Sequence, residues 1–287
     1  MADFMHDFPA RLYETTRSLT REVPSPVATR RFVDSLTNLL FPIREKRDLS
    51  RAEMQVRWEG LQRDFLEIIN PLCRGLDCCC NNLTERFFGE IPALYDSLLD
   101  DASVYEQSDP AARCVEEVIL CYPGFYAVMV YRIAHIMYRL GVPILPRVIT
   151  EYAHSRTGID INPGARIGPH FYIDHGTGIV IGESTVIGSN VKIYQGVTLG
   201  ATFVTKELCG QQRHPTIEDN VIIYAGSTIL GGDTVVGHDT IIGGNVWLTE
   251  SVPPYSTVYH KPEVFIKGNP QRSPEGERRL QNSVRKK

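Results

Sequence analysis

The sequence lacks any apolar run that approaches the ~20 residues needed to cross a bilayer. It also lacks a large excess of either charge, since 30 basic residues stand against 34 acidic ones and the formal net charge is −4. This balance argues against nucleic acid or an anionic membrane as the main partner. The first residues include Asp3 and Asp7 and no apolar core, so no signal peptide is predicted and we expect a cytoplasmic protein.

Several binding motifs are missing as well. Neither a P-loop nor a GxGxxG fingerprint is present. The seven cysteines include the run Cys78-Cys79-Cys80, but there is no CxxC pair and no second cluster at metal-ligand spacing. The count is odd, and six of the cysteines fall in a region of helical pattern. We therefore expect reduced thiols on buried or partly buried side chains, and no bound metal.

The first half of the chain has helical periodicity. Apolar residues recur every three or four positions in three stretches, at 54–72, 87–98 and 125–140. Pro143 and Pro146 are expected to end the last long helix. The sequence predicts an all-helical N-terminal domain over residues 1–157, with five or six helices, which serves substrate binding and oligomerisation.

From residue 158 the period changes to six. Fifteen aliphatic residues keep this register, with a two-residue slip, an irregular stretch and a further slip: Ile161, Ile167, Ile173, Ile179, Ile181, Ile187, Ile193, Leu199, Ile217, Ile223, Ile229, Leu230, Val236, Ile242 and Leu248. A six-residue period with small neighbours is typical of a parallel β-solenoid, in which each hexapeptide forms one face of a triangular prism. We predict an α+β protein with this solenoid over 158–260 and a tail over 261–287.

The register is interrupted over residues 201–216, which end on Arg213-His214-Pro215. Repeat proteins place insertions as loops on one face, often the binding face. We expect this loop to form a lid or a wall of a site. A surface loop without function is the alternative.

Five segments resemble the serine O-acetyltransferases: 121–125, 157–165, 173–178, 196–200 and 213–215. The resemblance extends over about residues 105–255. It implies a left-handed parallel β-helix and transfer of acetyl from acetyl-CoA to L-serine in cysteine biosynthesis. It further implies a homotrimer or a dimer of trimers, with acetyl-CoA as co-substrate and no bound cofactor.

Acetyl transfer to an alcohol requires a base, and His175 is the candidate because histidine titrates near neutral pH. Asp160 lies fifteen residues earlier, nearly one turn of a coil of about eighteen residues, so the two side chains are expected to stack. The resemblance pairs them as base and orienting carboxylate. It also brings His214 to the site from a neighbouring subunit.

The acceptor carries a carboxylate and an ammonium group. Arg213 could bind the carboxylate through its fork of donors. The resemblance places Asp174 and Asp109 at the ammonium and Glu183 near the acceptor. Asp109 precedes Pro110-Ala111, so it also fits a helix N-cap followed by proline at the first helical position.

For the donor, the resemblance places the pantetheine arm of acetyl-CoA along backbone at Gly200, Ala201, Ala225 and Ser227. Where the family often has an arginine after the last coil, this chain has Lys261 and Lys267, which would contact the CoA phosphates.

Two departures from the family pattern affect these expectations. Asn162 stands where members usually have histidine. The chain ends on Lys287, whereas many members end on the isoleucine that docks into O-acetylserine sulfhydrylase, so that complex is not predicted. L-cysteine is nearly isosteric with serine and is expected to inhibit.

Three other functions fit parts of the pattern. A hexapeptide enzyme could acetylate a sugar, an antibiotic or homoserine instead. A γ-type carbonic anhydrase needs three histidines on zinc, and His170, His175 and His214 are available, although in an order reversed from that family. A scaffold without catalysis is the third.

Overall fold

The computed structural model describes residues 7–18, 23–45, 48–73, 80–203 and 210–261. Seven α-helices precede the solenoid within these ranges: α1 (Phe8–Ser18), α2 (Pro26–Leu40), α3 (Arg51–Cys73), α4 (Cys80–Ser108), α5 (Val115–Cys121), α6 (Pro123–Arg139) and α7 (Leu145–Thr157). A short 3₁₀ helix, Pro42–Glu45, follows α2. The tail beyond Lys261, including Lys267, lies outside the described residues.

The helix count exceeds the predicted five or six because proline begins helices here. Pro123 opens α6 directly after α5, and Pro146 lies in the first turn of α7. The first helical positions need no backbone N–H donor, so proline is tolerated there. The last long helix, α6, ends at Arg139 before Pro143 and Pro146, and Pro146 in addition lies in the first turn of α7, which was not predicted.

The hexapeptide region forms a left-handed parallel β-helix of about five turns, as predicted. Face A comprises β1 (Asp160–Ile161), β4 (Val180–Ile181), β7 (Thr198–Gly200), β10 (Thr228–Leu230) and β13 (Trp247–Leu248). Face B comprises β2 (Arg166–Ile167), β5 (Val186–Ile187), β8 (Thr216–Ile217) and β11 (Val235–Val236). Face C comprises β3 (Tyr172–Asp174), β6 (Lys192–Tyr194), β9 (Ile222–Ile223), β12 (Ile241–Ile242) and β14 (Thr257–Val258).

The predicted aliphatic residues fill the axis of the prism, with one exception. Ile173, Ile193 and Ile223 stack in register on face C and are almost fully buried. On β10 the axial residue is Ile229, whereas Leu230 is only half-buried and pairs with Gly200. The second slip therefore falls after Ile229, and Leu230 does not belong to the axis.

The first coil has no preceding coil to pair with its backbone, and side chains of α4 and α6 take that place. The Tyr131 hydroxyl donates to the Ala165 carbonyl over 2.5 Å, and His135 Nδ1 donates to the Pro163 carbonyl over 2.8 Å. Arg132 Nη2 donates to the Gly168 carbonyl over 2.9 Å. Buried carbonyls left without donors would be costly, so α6 is a cap on the open end of the prism.

A buried ion pair holds this cap. Asp101 on α4 is fully buried and accepts from Arg132 Nε at 2.7 Å. The same carboxylate accepts the backbone N–H of Phe171 in the first coil at 3.3 Å. A second link joins α4 to the coil, because the Ile173 N–H donates to the Tyr105 hydroxyl at 3.0 Å. The helices and the prism are therefore held together by polar contacts as well as by apolar packing.

α6 can approach the coil closely because Gly124 has no side chain. A Cβ atom there would lie 2.3 Å from the Ile173 carbonyl oxygen, far inside van der Waals contact. Further along the same helix, Val128 packs into the core of the prism and Met129 into the core of the helical bundle. α6 is thus shared by the two cores.

One expectation about the cysteines was wrong. Cys73 at the end of α3 and Cys80 at the start of α4 form a disulfide, with their Cα atoms 6.0 Å apart. Cys114 is free and half-buried, and Cys121 is free and exposed. Cys78, Cys79 and Cys209 lie outside the described residues.

No single helix in the described ranges has the length and apolar content of a membrane span. The pair α5 and α6 passes such a test together, but it bends by 76° at Tyr122, and α6 is largely buried in the two cores.

We predict that Asp101→Ala lowers the free energy of unfolding by about 3–5 kcal/mol, because Arg132 would keep a charge that is mostly buried and unpaired. The neighbouring, exposed Asp100→Ala should stay within about 0.5 kcal/mol of the parent. Urea unfolding at a fixed protein concentration measures both. Equal stability of the two variants would contradict this account of the cap.

Candidate active site

The corner between face C and the next face A, called here the C–A corner, carries His175 directly after β3. His175 has a φ of 56°, a conformation that histidine adopts only in tight turns. Its side chain is 72% exposed, and Nε2 lies 3.9 Å from Asp174 Oδ1. The predicted slip of the repeat therefore turns this imidazole out of the prism.

Asp109 follows the end of α4 and reaches the same corner. Its Oδ2 accepts from the Tyr122 hydroxyl at 2.6 Å, and its Oδ1 accepts from the Ala111 N–H at 2.8 Å. These two hydrogen bonds lower the pKa of Asp109, with a smaller contribution from His175, and the bond to Asp109 raises the pKa of Tyr122 to about 12. Residues 109–112 form a turn, and the next helix begins at Val115, so Asp109 is not a helix N-cap.

Two tyrosines, Tyr172 and Tyr194, lie near the carboxylates of Asp174 and Asp109. Tyr194 stacks one coil below Asp174, its strand partner. Burial raises the pKa of Tyr172 and Tyr194, and the negative charges of Asp174 and Asp109 raise both further. Two carboxylates in this setting favour a cationic group, such as an ammonium, beside the imidazole.

Asp160 makes no hydrogen bond or ion pair with His175 in this structure, although the sequence predicts that the two side chains stack. The first coil is longer than eighteen residues, and Asp160 pairs with Val180 rather than with a residue near 175. The Asp160 carboxylate instead accepts from Arg147 Nη1 of α7 at 3.2 Å. Among the described side chains, the carboxylate within 4 Å of the His175 ring is that of Asp174.

The corner between face A and face B, the A–B corner, holds a second group. His214 is only 8% exposed, and its Nδ1 lies 2.8 Å from Ser184 Oγ and 3.1 Å from the Ser184 N–H. Burial lowers the pKa of His214, and the positive charge of Arg213 lowers it further. The guanidinium of Arg213 pairs closely with Glu183.

The insertion over 201–216 leaves the prism at this A–B corner, between β7 and β8. Thr198 pairs with Thr228, thirty positions later, whereas Val180 pairs with Thr198, eighteen positions later. The end of the insertion folds back on the prism, because the backbone N–H groups of Arg213 and His214 donate to Ser184 Oγ at 2.9 Å and 3.1 Å. Residues 204–209 lie outside the described ranges.

Known proteins resemble this arrangement closely. No family model matches the chain. It is 50% identical over 178 residues to "Serine acetyltransferase, plasmid" of Synechococcus elongatus, a match that covers 60% of this chain and 56% of that protein. It is 45% identical over 164 residues to the serine acetyltransferase of Bacillus licheniformis, covering 57% and 74% respectively.

Solved structures give the same result. Entamoeba histolytica serine acetyltransferase 1 in complex with L-cysteine matches with a TM-score of 0.73 and 35% identity, covering 79% of this chain and 86% of that chain. The chain belongs to the serine acetyltransferase family. The Neisseria gonorrhoeae serine acetyltransferase in complex with serine matches with a TM-score of 0.59 and 28% identity, covering 79% of this chain and 81% of that chain. A serine acetyltransferase in complex with CoA matches with a TM-score of 0.55 and 33% identity, covering 62% of this chain and 71% of that chain.

The chain spans little more than half the length of the Synechococcus relative. Its match to the Bacillus serine acetyltransferase is more complete and includes about three quarters of that protein.

The positions predicted for the acetyl donor in this serine acetyltransferase family member fall on both corners. Gly200 and Ala201 lie at the A–B corner after β7, whereas Ala225 lies at the C–A corner after β9. Ser227 is fully buried and its hydroxyl donates to the Gly243 carbonyl at 2.8 Å. Ser227 therefore exposes no atom to a ligand in this structure.

The two corners lie at opposite ends of face A, so one chain does not bring His175 and His214 together. His170 lies at the third corner, where its Nδ1 hydrogen-bonds to Asn190 Oδ1 at 3.0 Å. The three histidines of the carbonic anhydrase alternative thus occupy three corners of the prism and share no metal position within a chain.

One group of possible metal ligands exists near α7. Glu151, His154 and Asp160 bring one ligand atom each within 4.8 Å of one another. The guanidinium of Arg147 pairs with both Glu151 and Asp160. Because the Arg147 guanidinium already pairs with two of these carboxylates, we assign no metal to the group.

Sequence reasoning missed four neighbours of the predicted site residues, namely Tyr122, Arg147, Ser184 and Tyr194. Tyr194 could most easily have been predicted from the sequence, because it lies one coil of twenty residues after Asp174 and pairs with it. Ser184 lies between Glu183 and strand β5. Its contact with His214 depends on how the insertion over 201–216 folds, so the sequence alone did not indicate it.

Proposed function

We propose that the chain is a serine acetyltransferase that moves the acetyl group of acetyl-CoA to the hydroxyl of L-serine, giving O-acetylserine and CoA. The observation that carries this proposal is the C–A corner, where an exposed imidazole stands beside the carboxylates of Asp174 and Asp109. The names of the relatives support the reaction, and family structures hold serine and CoA.

Asp109 and Asp174 bind the serine ammonium in this proposal. Asp109 remains ionised at neutral pH, because the hydrogen bonds from Tyr122 and Ala111 lower the pKa of its carboxyl. Both oxygens of this carboxylate are held in place by these donors, so the ammonium meets a fixed charge. The serine hydroxyl is then presented to His175.

His175 is the general base. Its imidazole takes the hydroxyl proton as the serine oxygen bonds to the thioester carbon. The tetrahedral intermediate collapses with cleavage of the C–S bond, and the imidazolium returns the proton to the sulfur of CoA. We propose that Asp160 orients His175, with its carboxylate turned from Arg147 towards the ring.

A second copy of the chain supplies the other wall. In a homotrimer the A–B corner of one copy would face the C–A corner of the next, bringing Arg213 and His214 to the serine carboxylate. Glu183 would hold the Arg213 guanidinium. The same pairing would place Gly200-Ala201 of one copy opposite Ala225 of the next, along the pantetheine arm. The helical domain would join two trimers, and Lys261 or Lys267 would contact the CoA phosphates.

L-cysteine is proposed to bind the same acceptor site, since it differs from serine only by sulfur in place of the hydroxyl oxygen. Family structures hold cysteine, which supports this. We predict inhibition that is competitive with L-serine in initial-rate measurements. Inhibition unaffected by the L-serine concentration would contradict a shared site.

We predict that the protein releases free thiol from acetyl-CoA faster with L-serine than with homoserine or a sugar acceptor. His175→Ala should lower the rate by about 10²–10⁴-fold, because the base is lost. His170→Ala is the matched control at the third corner and should retain most activity. Size-exclusion chromatography of both variants checks that assembly is intact.

Preference for a sugar or homoserine would instead support the alternative acceptor. Retention of activity in His175→Ala would contradict the base assignment.

A further inference from the structure

His214 is held in one tautomer by its neighbours. Nδ1 accepts from the Ser184 N–H at 3.1 Å, so this nitrogen cannot itself carry a proton. The Ser184 hydroxyl lies 2.8 Å from the same nitrogen and is free to donate to it. A neutral imidazole with an accepting Nδ1 has its proton on Nε2.

The other contacts of the Ser184 hydroxyl direct its O–H towards His214 Nδ1. Its oxygen accepts the backbone N–H of Arg213 at 2.9 Å and the backbone N–H of His214 at 3.1 Å. A hydroxyl offers one donor and two acceptor lone pairs. Both lone pairs are taken, so the O–H is left to point at Nδ1. A proton on Nδ1 would face two hydrogen-bond donors, the N–H and the O–H of Ser184. These contacts therefore disfavour the protonated ring and keep it neutral.

The other side of the ring faces the surface. Gly182 makes room for it, since a Cβ atom there would lie 2.0 Å from Cδ2 and 2.1 Å from Nε2 of His214. In the described part of the chain, the one buried side-chain polar atom without a partner is Thr185 Oγ1. Nε2 of His214 does not belong to that class, so it keeps some contact with solvent at the A–B corner, although the residue as a whole is nearly buried.

We propose that Ser184 is a positioning residue, which holds His214 neutral and aims its Nε2–H out of the A–B corner as a fixed hydrogen-bond donor to an oxygen of the bound ligand. This inference rests on the proposed acetyl transfer for the identity of the ligand. The lowered pKa of His214, caused first by burial, agrees with a neutral ring. Because the geometry belongs to the protein alone, it can be tested without turnover.

The first test uses NMR on protein with ¹⁵N-labelled histidine, because ring-nitrogen shifts report which nitrogen carries the proton. His214→Gln assigns the signal. We expect His214 to be the Nε2–H tautomer at neutral pH and to stay neutral below the usual histidine range. In Ser184→Ala the backbone N–H of residue 184 still donates to Nδ1, so we expect the Nε2–H tautomer to persist and the pKa of His214 to rise, since one of two donors to Nδ1 is lost.

The second test separates positioning from simple stability. Ser184→Ala should lower kcat/KM by about fivefold to tenfold, which corresponds to one hydrogen bond, and should shift the acidic limb of the pH–rate profile to higher pH. Ser184→Thr keeps the hydroxyl and should restore both. The matched control is Ser251→Ala, since the Ser251 hydroxyl also accepts a backbone N–H, from Val235 at 2.9 Å, but contacts no histidine.

A rise in KM for L-serine alone would identify the ligand oxygen as the acceptor carboxylate, and a fall in kcat alone would identify it as the reacting carbonyl oxygen. A proton on Nδ1 in the parent protein would overturn the proposal. So would a Ser184→Ala variant in which both the pKa of His214 and the pH–rate profile are unchanged. If no acceptor supports turnover, the proposed function fails, and the NMR result still decides the role of Ser184.

Discussion

A parallel coil leaves one row of backbone donors and acceptors unpaired at its first turn, and the rest of this structure depends on how that row is satisfied. Asp101, Arg132 and Tyr131 provide the partners from α4 and α6. Since Tyr131 and Arg132 must meet particular carbonyls of the first coil and Asp101 a particular N–H, the helices cannot slide along the prism. The cap therefore fixes the position of the helical domain as well as ending the sheet.

The same cap brings chemistry to the first coil. Asp109 follows α4 and Tyr122 precedes α6, so both arrive at the C–A corner next to His175 because the helices that carry them are anchored there. The A–B corner is built differently, by an insertion that returns Arg213 and His214 onto Ser184. Each corner is held by its own hydrogen bonds, and neither contains all the groups that the proposed acetyl transfer requires.

The six-residue period was enough to predict the prism, since axial burial is a local property of each hexapeptide. Coil length was not predictable: Asp160 pairs with Val180, so the first coil is two residues longer than the assumed eighteen, and a direct bond between Asp160 and His175 is not formed here. The partners Tyr122 and Ser184 come from segments whose approach depends on tertiary packing. The Cys73–Cys80 disulfide was missed because it depends on how α3 and α4 meet.

The central claim is that the two corners act together only between copies of the chain. The most direct measurement is activity after co-expression of His175→Ala with His214→Ala, each of which should be nearly inactive alone. Random assembly should restore about a quarter of parental activity, because that share of interfaces would combine two intact corners. Co-expression of His175→Ala with Asp109→Ala is the control, since both changes damage the same corner, and it should restore none. A His175→Ala and His214→Ala mixture as inactive as its components would contradict the claim.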